Sequence, residues 1–521
     1  MATVEVPVLI VGAGPTGLCA ALALSRYGAP ALRVERHESV SPFSRARAVH
    51  RRAMEIFRTW GLEASIHDRE LDLEPITQWS DAVAAPVTRR QPYVVRSDPA
   101  LSPCRMSPIF QDELERLLLE RVTSEPTVDL RFATACRALR ARSDHVEAML
   151  VDRRTGQEDR VRARYMIGAD GAASTVRRSL AVGMEGPGEL ADNLMIRFRA
   201  DLSRWAGDRP PYILFLSGTP ARVLTMVGRD HLWVLNAEDP ARASDPLEVV
   251  HDAIGADVPV DIQGVATWTA AAQLADRFQV GRVFLAGDAA HRMPPAGAMG
   301  MNTGIHDAHN LAWKVAAVIG GWAGESLLET YEAERRPAAA RTVAWALGNW
   351  HCLQTGQPWP PPGNPNTEEI DLGAIYTSAA IIPDGTPAPA PAVDYRPNAR
   401  PGSRAPHVWI ASDQGQTSTV NLGDRAFVLL AGPQASGWIE AASTTAHSLG
   451  APLRPQVVAE PEWRTAYGVE PTGAVLLRPD GYVAWRARED SADAAGVLDY
   501  AMRRVLGWER AHDAAGNLHH R

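Results

Sequence analysis

Six residues near the start of the chain, Gly12-Ala13-Gly14-Pro15-Thr16-Gly17, have the types and spacing of a phosphate cradle. They follow a short apolar run, Val8 to Val11, and open an amphipathic stretch from about Pro15 to Tyr27. In such a fingerprint the first glycine permits a tight turn, the second lets a pyrophosphate approach bare backbone, and the third lets helix pack on strand. The helix N-terminus then points free N–H groups and its dipole at the phosphates. Glu35, followed by Arg36, ends the next strand, about 20 residues on, where a carboxylate accepts hydrogen bonds from ribose hydroxyls. A carboxylate there also disfavours a 2′-phosphate, so this cradle is not expected to hold NADP.

A second acidic glycine turn stands far downstream, between Gly281 and Lys314. A buried strand, Val283 to Ala286, runs into Gly287-Asp288. A Pro/Gly-rich loop follows, Pro294-Pro295-Ala296-Gly297-Ala298-Met299-Gly300-Met301-Asn302, and then a long helix. Asp288 is placed to accept from a polyol or ribityl hydroxyl, and the loop brings bare backbone up to a ligand. The helix directs its dipole at a developing negative charge, such as the N1–C2=O edge of a reduced flavin. One nucleotide fold needs only one fingerprint. Two cradles this far apart therefore predict one large cofactor gripped from both ends, FAD rather than NAD. Asp170-Gly171 is by itself an ordinary turn and gains interest only beside Asp288. His291 has two readings, a catalytic base or, more commonly for such a residue, a structural side chain.

These residues need a scaffold. Val8–Val11, the helix after it and Ala31 to Glu35 read as β-α-β, the opening of a doubly wound α/β fold. Short β runs dominate from about Ala191 to Thr269, which predicts an antiparallel sheet inserted into the nucleotide fold. The expected organisation is a Rossmann-like FAD-binding domain from 1–180 and 281–395, an inserted β-sheet substrate domain over 181–280, and a C-terminal domain over 396–521. Residues 75–108 are expected to contribute to the substrate region. A Pro-rich linker, PWPPPGNPNT through PDGTPAPAPAVDYRPNARPGSRAP, precedes the last domain. Tyr212, Phe215, Met226 and Trp233 are candidates to face a flat substrate, although strand alternation turns about half of such residues into ordinary core. Pro295, Gly297 and Met299 are expected in the active-site loop, with Met299 also a candidate to face the substrate. Trp79, Arg89, Arg90 and Tyr93 form another candidate wall.

Composition narrows the classes. The chain has 521 residues and a net charge of −8, which disfavours a nucleic-acid binder or a polybasic membrane anchor. No signal peptide or membrane-length apolar run is visible, which points to the cytoplasm. The four cysteines lack metal-ligand or CxxC spacing and read as buried thiols. No metal is called for, and no GxSxG nucleophile motif is present. Homo-oligomerisation is open.

In this order and at these separations, the motifs resemble those of the class A flavoprotein aromatic hydroxylases. GAGPTG with Glu35 matches their ADP-binding motif, YMIGADGAASTVRRSL their Asp-Gly motif, and GRVFLAGDAAHRMPPAGAMGMNTG their Gly-Asp motif. The likeness runs from about Val8 to Pro337. ARPGSRAPH, AFVLLAG and LLRPDGYVAWR resemble the thioredoxin-like domain of the phenol hydroxylase relatives, among which bacterial polyketide hydroxylases of the tetracenomycin, anthracycline and angucycline group are most similar. Since Cys352 is the last cysteine, that domain cannot carry thiol–disulfide chemistry. The resemblance implies that NADPH or NADH reduces FAD, that O2 is the co-substrate, and that a flavin C4a-hydroperoxide hydroxylates a small phenolic polyketide-type substrate. Baeyer–Villiger insertion, epoxidation and dehydrogenation are the alternatives.

By residue, the resemblance assigns Gly12, Gly14, Gly17 and Glu35 to the ADP half, and Arg45 to the pyrophosphate or ribityl region. Gln111 goes to the ribityl chain, and Asp170 to cofactor and nicotinamide support. Asp288 goes to the ribityl chain, and Pro295 with Gly300, Met301 and Asn302 to the isoalloxazine border. The chain departs from the family in one place: many relatives carry Gly-Gly-Gln-Gly where this chain has Gly297-Ala298-Met299-Gly300. Met299 has no amide to offer the flavin or the substrate pocket.

Overall fold

The computed structural model describes residues 3–508 apart from 42, 44–45, 94–97, 218–221, 239, 356, 358–360, 362 and 413–414. A parallel sheet forms its base. Val283–Leu285, Glu158–Gly168, Thr3–Val11, Ala31–Val34 and Val128–Arg131 lie side by side in that order, all parallel. Val8–Val11, Met166, Ile167 and Val283–Leu285 are buried on both faces of this sheet. The cradle helix Pro15–Arg26 and the long helix Gly300–Ile319 are buried along most of their length. Glu158–Gly168 also continues outward into an antiparallel meander with Val146–Asp152 and Thr134–Ala141.

The second sheet has eight strands, in the order His291–Arg292, Asp261–Ala275, Met184–Arg199, Leu232–Ala237, Arg222–Gly228, Pro211–Leu216, Glu74–Ser80 and Val87–Pro92. It differs from a purely antiparallel insert in one pairing, since Pro211–Leu216 runs parallel to Glu74–Ser80. The pairing joins segments far apart in the chain, so no hairpin turn dictates its direction. The helix Pro246–Ile254 covers one face, packing Val249, Val250 and Ile254 against Leu214, Leu224, Trp233 and Leu235. Strand alternation sends Thr225, Val234, Met195 and Phe215 to the opposite face.

The C-terminal unit runs β-α-β-α-β-β-α from Phe427 to Val505. Its strands take the order Leu453–Val457, Phe427–Ala431, Ala474–Leu477, Val483–Ala487, with the first two parallel. It shares a continuous apolar core with the parallel sheet, and Phe427 meets Trp313 edge-on at 5.7 Å. Buried charges cross the same junction. Glu334 accepts from Lys314 Nζ at 2.8 Å and from both terminal nitrogens of Arg478 at 2.6 and 2.8 Å. Asp480 takes Arg478 Nε at 3.0 Å and the Trp313 indole at 3.2 Å. On the helix Arg51–Thr59, Arg52 bonds Glu55 at 2.9 Å and the Asp480 carbonyl at 2.5 Å, while Arg404 Nε donates to Glu55 at 2.9 Å.

Candidate functional site: a dinucleotide cleft under the eight-stranded sheet

Three distant motifs meet at one place. Gly12 has φ +114°, and a Cβ there would stand 2.2 Å from the Ala169 carbonyl oxygen, so only glycine lets this turn touch the Ala169-Asp170 segment. Thr16 fills the gap between the second pair of motifs. A Cβ on Gly287 would lie 2.5 Å from its hydroxyl, and one on Gly304 2.3 Å. Gly14, by contrast, faces open space. The cradle helix begins with proline at its first turn and has neither an acid there nor a side-chain cap. Its first N–H groups are therefore available to an anion.

Glu35 Oε2 accepts the Ala13 N–H at 2.7 Å and Oε1 the His37 N–H at 3.0 Å, which sets the carboxylate at the cradle rim. Arg36 is exposed beside it and bonds His37 at 3.2 Å. Asp170 is occupied differently: it accepts the Ser174 hydroxyl at 2.5 Å and the N–H groups of Thr175 and Val176 at 2.7 and 3.1 Å. In this form it organises the turn behind the cleft. Asp288 is exposed, with no hydrogen-bond partner among the described residues. Arg45 lies outside the described residues. Gln111 donates to Glu115 at 2.7 Å and accepts from the Ala46 N–H at 3.2 Å, which ties the 46–50 segment to the helix Gln111–Thr123.

The flavin-end loop is held from behind. Asn302 accepts the His50 N–H at 2.8 Å and donates to the carbonyls of Ala48 and Ala298 at 3.0 and 2.9 Å. Its side chain is thus a strut, and its neighbours Gly300 and Met301 present the helix N-terminus. Pro295 is exposed at the loop tip and Gly297 lies against the Trp345 ring. Ala298 has φ +56°, a left-handed conformation that costs a residue with a Cβ about 1 kcal/mol. His50 donates from Nε2 to the Gly297 carbonyl at 3.1 Å, and burial holds its pKa down at about 4.

Three expectations are corrected. Met299 does not line a substrate cleft; it is buried with Trp345, Ala346 and Ile370 because the turn points it inward. Trp233 lies on the sheet face under Pro246–Ile254, where its indole donates to the Ala200 carbonyl at 3.0 Å. Met226, its cross-strand partner, touches apolar clusters on both faces where the register shifts. Tyr212 packs with Met195, Val234 and Phe110, and Phe215 lies on the sheet face opposite Pro246–Ile254. The Tyr212 hydroxyl donates to the Arg47 carbonyl at 2.7 Å, Tyr93 packs on its ring at 4.5 Å, and Phe215 stacks on Trp79 at 5.4 Å. His291 is fully buried, donating from Nε2 to Asp307 at 2.7 Å. Asp307 also takes Arg335 at 2.8 Å, and chiefly that guanidinium holds its pKa down at about 2. That geometry is structural.

The sequence reading missed Arg47. Its Nη1 donates to Thr225 at 2.6 Å, bridging the 46–50 segment to the sheet, and it forms no ion pair among the described residues. Its place among five arginines between Arg45 and Arg58 hid it.

Open backbone at Gly14, an uncapped helix start, Glu35 at the rim and a free Asp288 across the cleft fit the phosphate, ribose and ribityl parts of FAD. Comparisons with known proteins agree. Residues 5–346 match the FAD binding domain family, and residues 398–508 the C-terminal domain of aromatic-ring hydroxylases. The chain is 36% identical to a tetracenomycin B2 monooxygenase-dioxygenase of Streptomyces olivaceus, over 97% of this chain and 99% of the relative. It is 37% identical to a 4-methyl-5-nitrocatechol 5-monooxygenase of a Burkholderia species, over 96% and 98%. The structure of an aklavinone-11 hydroxylase in ternary complex with FAD and aklavinone superposes with a TM-score of 0.87 at 34% identity, covering 97% of this chain and all of that one. With both family models in chain order and relatives matched nearly end to end, this chain belongs to the FAD-dependent aromatic-ring hydroxylases.

Proposed function

We propose that the chain is an NAD(P)H-consuming monooxygenase that hydroxylates a phenolic, polyketide-type aromatic substrate in the cytoplasm. The observation that carries this reading is the sheet face over the flavin-end loop. Phe215, Val234 and Met195 share one face of the sheet, where Val234 and Met195 pack with Phe110 and Tyr212, while Arg47, Thr225 and the Tyr212 hydroxyl gather polar groups beside them. FAD, when bound, supplies the redox chemistry and activates O2.

The protein's own residues have three tasks. That face would orient a flat ring and exclude water. Arg47, a cation whose pKa burial lowers, would hold the substrate's phenolate oxygen and so keep the ring electron-rich. The uncapped start of Gly300–Ile319 would stabilise negative charge at the flavin end. The reading of a polycyclic substrate draws on relatives that act on tetracenomycin and aklavinone, and the nitrocatechol relative supports a single-ring alternative. Four cysteines that are all free and buried support a reducing compartment.

The test is turnover by the purified protein with FAD, O2 and either NADPH or NADH, on a polycyclic polyketide phenol and on single-ring phenols, with products identified by mass and NMR. The expected product is the polycycle with one added phenolic oxygen. A ring-expanded lactone, or turnover restricted to single rings, would overturn the reading.

A further inference from the structure

Arg33 is a buried charge whose terminal nitrogens have no hydrogen-bond partner among the described residues. It lies in the strand Ala31–Val34, fully buried, and its Nε donates to the Gly12 carbonyl at 3.2 Å. Nη1 and Nη2 are both buried without a hydrogen-bond partner, and Arg33 forms no ion pair among the described residues. The two acids that act on it are otherwise engaged. Glu35 spends its oxygens on the N–H groups of Ala13 and His37. Glu115 accepts from Gln111, and burial pushes its carboxyl up to about 7. Burial also brings the Arg33 guanidinium down to about 10. A buried cation with unmade hydrogen bonds destabilises a fold by itself.

Its position gives it a use. The Gly12 carbonyl sits between Arg33 Nε and the close-packed Gly17, where a Cβ would stand 2.2 Å from that oxygen. A trans peptide then turns the Ala13 N–H to the opposite side, toward Glu35 and the cradle rim. The helix beginning at Pro15 adds its own positive end, with no acid in its first turn. The guanidinium and the helix start thus both adjoin the Gly12 peptide, and Arg33 has no ion pair among the described residues.

We propose that Arg33 is part of the FAD site, with the cofactor's pyrophosphate as its counter-ion, acting through the field beneath the cradle and through the Gly12 peptide rather than by direct contact. It is a positioning residue, and its role has a signature that a structural strut lacks. Removing it should weaken FAD binding while leaving the cofactor-free protein as stable as before, or more so.

The experiment uses the full chain stripped of flavin, as wild type, R33M and R33K. FAD affinity is read from flavin fluorescence at low and high salt, and the melting temperature of the flavin-free protein from circular dichroism. R33M is expected to weaken FAD about tenfold at low salt, the order of one charge acting across several ångströms of protein. The loss should shrink at high salt, and the flavin-free melting temperature should hold or rise. R33K keeps the charge and is expected to stay within about threefold of wild type. Adenosine, which lacks the pyrophosphate, should bind all three alike. The proposal is overturned if R33M binds FAD within about twofold of wild type, if R33K loses as much affinity as R33M, or if R33M melts earlier or fails to fold.

Discussion

At the junction with the C-terminal domain Arg52, Arg404, Lys314 and Arg478 each meet an acid, whereas beneath the dinucleotide cradle Arg33 forms no ion pair among the described residues. Both regions are dry and both carry charge. The first is closed on itself: Glu55, Glu334 and Asp480 accept from cations on several elements and so fasten the last domain to the nucleotide fold. The second is open: Arg33 has no ion pair among the described residues, and the pyrophosphate would complete it. Buried charge thus serves two purposes in one molecule. A completed set acts as a joint, and an incomplete one as a receptor.

The largest way to break this comparison is at the joint. Glu334→Gln leaves Lys314 and Arg478 sharing only Asp480 and a neutral amide. Loss of one partner from a buried set costs about 3–5 kcal/mol. Urea unfolding should show that loss, and a change below about 1 kcal/mol would mean that the joint carries no stability.

Glu115 sharpens the other side. Burial raises its folded pKa to about 7 from the ordinary 4.5, so between those values the folded chain binds more protons than the unfolded one and loses stability as pH rises. Glu115→Gln, which preserves the shape of the contact with Gln111, should stabilise the flavin-free protein by about 3 kcal/mol at pH 8 and about 1 kcal/mol at pH 5. Equal gains at both pH values would show that Glu115 already shares its charge with Arg33, which would make the receptor a second joint.

The smallest effect is at the flavin-end loop, where the strain is conformational. Ala298→Gly relieves a left-handed alanine worth about 1 kcal/mol, partly offset by the greater freedom of glycine in the unfolded chain. A net gain of a few tenths of a kcal/mol is expected in calorimetry. A loss would mean that Ala298 makes a contact worth more than its strain.

Much of the scaffold was legible because local chemistry encodes it. Gly12, Gly17 and Gly287 are required by contacts a Cβ would violate, and such glycines stand out in a sequence. The charge of Glu35 and Asp288 at strand ends is equally plain. What could not be read depends on direction and on distant partners. Trp233 and Phe215 look alike in their strands, and only the register decides which faces the cleft. Met299 sits in a loop whose path sends its side chain backward into Trp345 and Ile370. Arg33 occupies a position that reads as ordinary strand, and its isolation is visible only once every nearby acid has been assigned a partner. The parallel pairing of Pro211–Leu216 with Glu74–Ser80 was hidden for the same reason.

Lys314 has a practical consequence of another kind. It is the only lysine among 521 residues, the rest of the basic side chains being arginine, and it is sealed in the joint at 0% exposure. A lysine-directed dye or cross-linker therefore finds no side-chain amine on the surface of the intact fold. Any such reagent recovered on Lys314 reports that the C-terminal domain has lifted away, so amine labelling at this residue becomes a clock for domain separation, readable by peptide mass without an introduced probe.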